Sequence, residues 1–261
     1  MDKKLNIKKS NVKKMVVTMF SLMFLAGIWL FVSTNYPAMI PSPGETWERF
    51  LLTFSKPIKK LNLLQHVLAS LRRVGTALAI AWVTGVAFGV IIGWNKTCNA
   101  LFGSVFTMLR PIPPLAWIPL ITICFGISEM PKILIVFIGA FIPVVVNTQA
   151  GMRNVERLYL DVAKSFNANE RQLLWEVAMP SITPAIFAGM RTSTSSAWMV
   201  VVAAEMLGAS SGVGFLINRG MDSADTPLVL VAMIAIGIVG AMLAVLFEVI
   251  ERMACPWMIK R

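Results

Sequence analysis

At 261 residues, 57% hydrophobic and 14% charged, with a mean hydropathy of +0.72, the chain is too apolar for an ordinary soluble domain and reads as an integral membrane protein. A net charge of +11 would point to nucleic acid in a soluble protein, but here most Lys and Arg flank apolar spans, so the expected partner is the bilayer and no nucleic acid. The three cysteines, Cys98, Cys124 and Cys255, and the single histidine, His66, have neither disulfide nor metal-ligand spacing, which excludes a zinc site and predicts no metal.

Several windows of roughly 18 or more nearly uncharged residues are long enough to cross about 30 Å of hydrocarbon, and no ten-residue alternation points to a barrel. The expectation is an all-α membrane protein with six transmembrane helices. Residues 1–14 form a basic tail in which Lys3, Lys4, Lys8, Lys9, Lys13 and Lys14 face only Asp2, placing the N-terminus in the cytoplasm. The first helix, 15–33, is longer than a signal-peptide core and lacks a clear A-x-A site, so it is expected to be retained. An external segment, 34–62, contains PSPGETW (41–47), where Pro43 and Gly44 predict a turn and Glu45 a helix start.

The second helix spans about 63–94. Arg72 and Arg73 at its outer end are expected to snorkel to the interface, and Gly85, Gly89 and Gly93 form a small-residue ridge for close helix packing. A third helix, about 101–128, is interrupted by RPIPPLAWIPL (110–120), through which no regular helix continues. Such a break either borders a transport pathway or serves packing alone. SEMPK (128–132) reads as an external turn. A fourth helix, about 133–148, contains Pro143 as a kink. Then come a cytoplasmic insert (149–180), a fifth helix (about 181–205), an outer loop (208–227) and a sixth helix (about 228–248). The basic C-terminal tail returns to the cytoplasm.

Within the insert, Leu158, Val162 and Phe166 fall on one face of a short helix. Asn167 is suited to a left-handed turn, and Asn169 with Gln172 predicts an N-cap and a second helix. No phosphate loop, nucleophile elbow or zincin motif occurs, so the chain is not expected to be an enzyme or to hydrolyse ATP, and no cofactor is expected in it. Candidates for lining a translocation path are Arg191, Thr194, Ser195, Trp198 and Glu205 on the fifth helix and Trp117 in the broken third. Arg191 reads equally as a pathway residue or a helix-end anchor, and Glu205 as a hydrogen-bond partner or gate at the outer mouth.

The insert resembles the cytoplasmic EAA loop of ABC-importer permeases. That pattern stands here as Asp161-Val162-Ala163, then Asn167, then Val177-Ala178-Met179-Pro180, with Asp for Glu, Val for Ala, Asn for the turn Gly and Met for Leu. From PSPGETW through RPIPPLAWIPL and FGISEMPK to AAEMLGASSGVGFLI, the chain is similar to permeases of the nitrate/sulfonate/taurine branch. The resemblance implies a type I ABC-importer permease fold in a bacterial cytoplasmic membrane. It also implies a second permease copy in a homodimer, two ATP-binding cassette subunits that carry the ATP and Mg, and an extracytoplasmic solute-binding protein. Carried over, the ATPase contacts are Asp161, Ala163, Lys164, Phe166, Asn167 and Arg171. The implied cargo is a small anion such as taurine, another alkanesulfonate or nitrate. Alternatives are another small solute of the same branch, such as bicarbonate or a pyrimidine precursor, or an ATP-independent channel or secondary transporter.

Overall fold

The computed structural model describes residues 2–37 and 39–256, with side chains from residue 16 onward apart from 22. The basic run does not precede the first helix but continues it: α1 is helical over Asp2–Asn35. Its lysine side chains, and Lys260 and Arg261, lie outside the described residues. Then follow α2 (Pro43–Ser55), α3 (Leu63–Trp94), α4 (Lys96–Leu109), α5 (Pro114–Phe125), α6 (Glu129–Arg153), α7 (Arg157–Ser165), α8 (Glu170–Met206), α9 (Val213–Asp222) and α10 (Thr226–Ala254). Among the described residues five of these are long and apolar enough to cross a membrane, and α4 with α5, bent by 90° at the break, is either a broken sixth span or a re-entrant pair.

Prolines explain where the expected elements and the observed ones part. Pro43 and Gly44 do not form a turn; Pro43 opens α2, where a missing N–H costs nothing. Ser42 caps that helix, and Glu45 returns a hydrogen bond to the Ser42 N–H at 2.8 Å. SEMPK is likewise no turn: α6 starts at Glu129, with Pro131 inside its first turn and Lys132 reaching back to Glu129 at 2.9 Å. Nor does Pro180 separate the insert's second helix from the fifth span. In α8 a π turn over Leu173–Ala178, in which the Met179 N–H bonds the Leu174 carbonyl, widens the helix just ahead of the Pro180 ring. One helix therefore joins the insert to the membrane span.

The core is a three-helix stack of α3, α6 and α8. Ala77, Leu78 and Ala81 meet Val136 and Ala140, and these meet Ala197, Trp198 and Val201. α3 and α6 run parallel, and the predicted glycine ridge lies between them: Gly85, Gly89 and Gly93 face Val144, Thr148 and Met152. A Cβ on Gly89 would stand 2.7 Å from the Thr148 Cβ, so any side chain there would push the two helices apart. Pro143 leaves the Gly139 carbonyl without its intrahelical donor, and Ser196 of α8 supplies one from its hydroxyl at 2.9 Å. A packing role and a polar repair thus coincide at the α6–α8 seam.

The antiparallel course of α8 against α6 puts the α7 hairpin at one end of the bundle, called here the hairpin end, and Glu205 at the far end. At that far end α2 lies across the start of α10, held by an Arg49 Nε–Asp225 Oδ2 ion pair at 2.7 Å. A second core patch sits beneath it, made by Leu63, Val213, Leu216, Val231 and Ala232.

Candidate functional site

The hairpin end presents α7 as a two-faced helix. Leu160 and Ala163 are half-buried toward the chain, whereas Leu158 is 62%, Val162 48% and Phe166 83% exposed. Burying three such side chains in a partner would release roughly 1.5–3 kcal/mol each in apolar transfer. Asp161, Lys164 and Arg171 are also exposed, and none joins an ion pair among the described residues.

The turn after α7 closes as the sequence predicts. Asn167 has φ +60°, its N–H bonds the Lys164 carbonyl at 2.9 Å, and the Ala168 N–H bonds the Ala163 carbonyl at 3.1 Å. This pair of bonds is a Schellman closure with Asn in the left-handed position. Asn169 then caps the next helix, its side chain accepting from Gln172 N at 2.9 Å while Gln172 answers at 3.0 Å. Ala163 therefore differs from the other carried-over contacts, since it faces inward and supplies the carbonyl that ends the helix. Replacing Asn167 by Val should cost about 1–2 kcal/mol in the left-handed region. Amide exchange over 157–169 should then accelerate, while Asn167→Gly leaves it unchanged.

At the far end, the sequence expectation for Arg73 is overturned. Arg72 is exposed, but Arg73 is only 4% exposed and does not reach the interface. Its Nη1 meets Glu205 Oε1 at 2.6 Å and the Ser211 carbonyl at 2.9 Å, and its Nε meets Glu129 Oε2 at 2.6 Å. The fork geometry of guanidinium lets one side chain tie α3, α6, α8 and the 207–212 segment together. Glu205, 1% exposed, also accepts from Ser70 Oγ at 2.9 Å and Gly214 N at 3.0 Å.

The same group of side chains caps α9. A helix start leaves N–H groups without partners, and here those of Gly212, Val213 and Gly214 go to His66 Nδ1, Ser70 Oγ and Glu205 Oε2 at 3.2, 2.9 and 3.0 Å. His66 Nε2 is left to donate to the Ile58 carbonyl at 3.2 Å. Gly212 has φ +115°, and a Cβ there would stand 2.2 Å from the Glu205 carboxyl carbon, so only glycine lets the loop pass over the carboxylate. Sequence reading places Glu205 at the outer mouth but misses its partners. The available signal is periodicity: His66, Ser70 and Arg73 share the buried stripe of α3 with Ala77 and Ala81, whereas Arg72 does not.

The remaining path candidates divide. Thr194 and Trp198 are buried, bonding the Met190 and Ile236 carbonyls at 2.9 and 3.0 Å. Trp117 is half-buried against the three-helix core. Ser195 and Arg191 are exposed on α8, and Arg191 stands 3.5 Å from Glu251 in the last turns of α10. The structure thus brings Thr194, Trp198 and Glu205 into internal contacts, leaves Ser195 exposed and ties the half-exposed Arg191 to Glu251.

A bundle of long apolar helices with an exposed two-faced hairpin at one end has the architecture of the membrane-spanning subunit of a transport system. The chain belongs to the family of binding-protein-dependent transport system inner membrane components, whose profile matches residues 85–260. It is 32% identical over 250 residues to the taurine transport system permease protein TauC of Escherichia coli, covering 94% of this chain and 90% of that one. It is 29% identical over 249 residues to the nitrate import permease protein NrtB of Leptolyngbya laminosa, covering 94% and 89%. It is therefore a multi-pass inner-membrane ABC permease of the taurine/nitrate branch. Among solved structures, the inward-facing MetNI methionine ABC transporter superposes with a TM-score of 0.63 at 16% identity, covering 71% of this chain and 92% of that one. That likeness is one of fold.

Proposed function

We propose that this chain is one half of a homodimeric import channel, driven by two ATP-binding cassette subunits at the hairpin end and supplied by a solute-binding protein at the far end. The positive-inside asymmetry makes the hairpin end cytoplasmic and both termini internal. The observation that carries the reading is the exposed apolar face of α7, Leu158, Val162 and Phe166, on a hairpin whose second helix runs on into the span as α8. Asp161, Lys164, Asn167 and Arg171 are exposed on the same hairpin and give a partner surface charges and polar groups to match, with Ala163 holding the turn behind them. ATP and Mg belong to the partner.

The cargo is a small oxyanion, taurine or another alkanesulfonate, or nitrate. Arg191 and Ser195 lie where the second copy would close the path, and a guanidinium offers the parallel donors that sulfonate or nitrate oxygens accept. Thr194, Trp198, Glu205 and Trp117 shape that path from behind by fixing the helices that carry it. The homologous taurine and nitrate permeases support this cargo class over bicarbonate or a pyrimidine precursor.

Copurification from the native membrane is the test. The expected result is a complex containing an ATPase, and proteoliposomes holding it should take up taurine or nitrate only when ATP and the binding protein are supplied. A chain that comes out alone and moves solute without ATP would instead be a channel or secondary transporter.

A further inference from the structure

Beside the hairpin, the ends of α3, α4, α6 and α7 line an open cleft of about 450 Å³ that does not include Leu158, Val162 or Phe166. Its polar wall carries Lys96, Arg153 and Arg157 together with Asn99, and no carboxylate lines it. None of the three cations joins an ion pair among the described residues. Arg153 is held by the Asn99 side-chain oxygen at 2.5 Å, and Gln149 donates to the same oxygen at 3.2 Å, so that wall is positioned. Arg157 opens α7, an end where the helix dipole favours an anion and disfavours a cation, and Glu156 contributes no side-chain cap there. Three like charges line one cleft, and no carboxylate among the described residues pairs with them.

The cleft floor is apolar, formed by Ile92, Met152 and Leu160, and Trp94 stands at its edge. Both α3 and α6 end at this level, at Trp94 and Arg153, which is where a bilayer changes from acyl chains to headgroups and where tryptophan concentrates. A ligand that fits must present a compact anion to the cations and an apolar body to the floor. We propose that this cleft is a binding site for a phosphate-bearing anion, with the headgroup of an anionic phospholipid as its occupant. Cationic pockets between membrane helices recognise headgroups through the same charge arithmetic. The volume admits a phosphate and glycerol, and the acyl chains would remain outside against the helices.

The test uses the full-length protein in mixed micelles of phosphatidylcholine and phosphatidylglycerol, with retained lipid counted by native mass spectrometry. Wild type should keep phosphatidylglycerol in preference to phosphatidylcholine. Lys96→Gln and Arg153→Gln should each weaken that retention about fivefold, and Lys96→Arg should restore it. Arg72→Gln, which removes an exposed cation at the opposite end of α3, should change nothing. Inorganic phosphate provides the second arm. If it displaces the lipid from wild type, and binds the Gln variants more weakly, the natural source is a soluble phosphate. If wild type and the Gln variants, with equal thermal midpoints, retain the same lipid and bind phosphate alike, or if Arg72→Gln loses as much lipid, the proposal is overturned.

Discussion

Replacing Arg73 by Met is expected to lower the stability of the folded chain by about 3–5 kcal/mol, the usual consequence of stripping one partner from a buried ion pair. The reason is geometric. Glu205 is 1% exposed and would keep Ser70 and the Gly214 N–H but lose its only charge-bearing partner among the described residues. Glu129, whose side chain is 57% exposed, can recover water, so the damage falls on the Glu205 side. Thermal unfolding in detergent micelles, followed by tryptophan fluorescence, reads the effect. Arg73→Met/Glu205→Met should lose less than the sum of the two single changes, because the double variant leaves no stranded charge there. A loss below about 1 kcal/mol for Arg73→Met would mean the cluster is solvated in the working protein.

Truncating Phe166 to Ala is expected to act in the opposite manner, leaving stability alone and removing function. The ring is 83% exposed, so the packing of the described residues loses little without it. On the proposed assembly it is an aromatic anchor, and loss of such an anchor weakens association by about 2 kcal/mol or more, roughly thirtyfold. ATP hydrolysis by the reconstituted complex should then no longer be stimulated by the solute-binding protein, and uptake should fall with it. Lys164→Glu should do the same by reversing an exposed charge on α7. Normal uptake in both variants, at an unchanged unfolding temperature, would remove α7 from the coupling role.

These two sites were unequally legible in the sequence. The hairpin is made of short-range rules: four-residue apolar spacing, an Asn where φ is positive, and an Asn–Gln capping pair three residues apart. Each acts within a single turn of chain, so reading along the chain is enough. The far-end cluster joins residues more than 50 positions apart, from His66 to Gly214. A single sequence carries no record of such pairing. What it does carry is the face on which Arg73 lies, and the charge rule that favours snorkelling outweighed that signal.

Prolines were the other point of divergence. SEMPK reads as a turn, but the structure places its Pro131 in the first turn of α6, where few N–H groups are needed, and it carries one helix across Pro180 after a π turn. The four prolines of 111–119, by contrast, do break the chain, because Pro111 and Pro113 leave no run of donors to carry the helix across the 90° bend. The motif AAEMLGASSGVGFLI, recognised by resemblance alone, now has a physical basis. It supplies the buried carboxylate, the glycine that clears it and the helix start that the carboxylate caps.

The continuity of α8 sets a scale for motion. At about 1.5 Å per residue its 37 residues make a rod of about 55 Å, nearly twice the roughly 30 Å of hydrocarbon it crosses. α6 packs along this rod from Ile182 to Val200, with the Gly139–Ser196 hydrogen bond inside that stretch, so the part that stands clear of the bundle is the hairpin end. A push on the hairpin is therefore expected to reach the bundle through one long seam and not through a point contact. Because Glu205 is fastened through Arg73 to α3 and α6, that displacement would carry the far end of all three helices together.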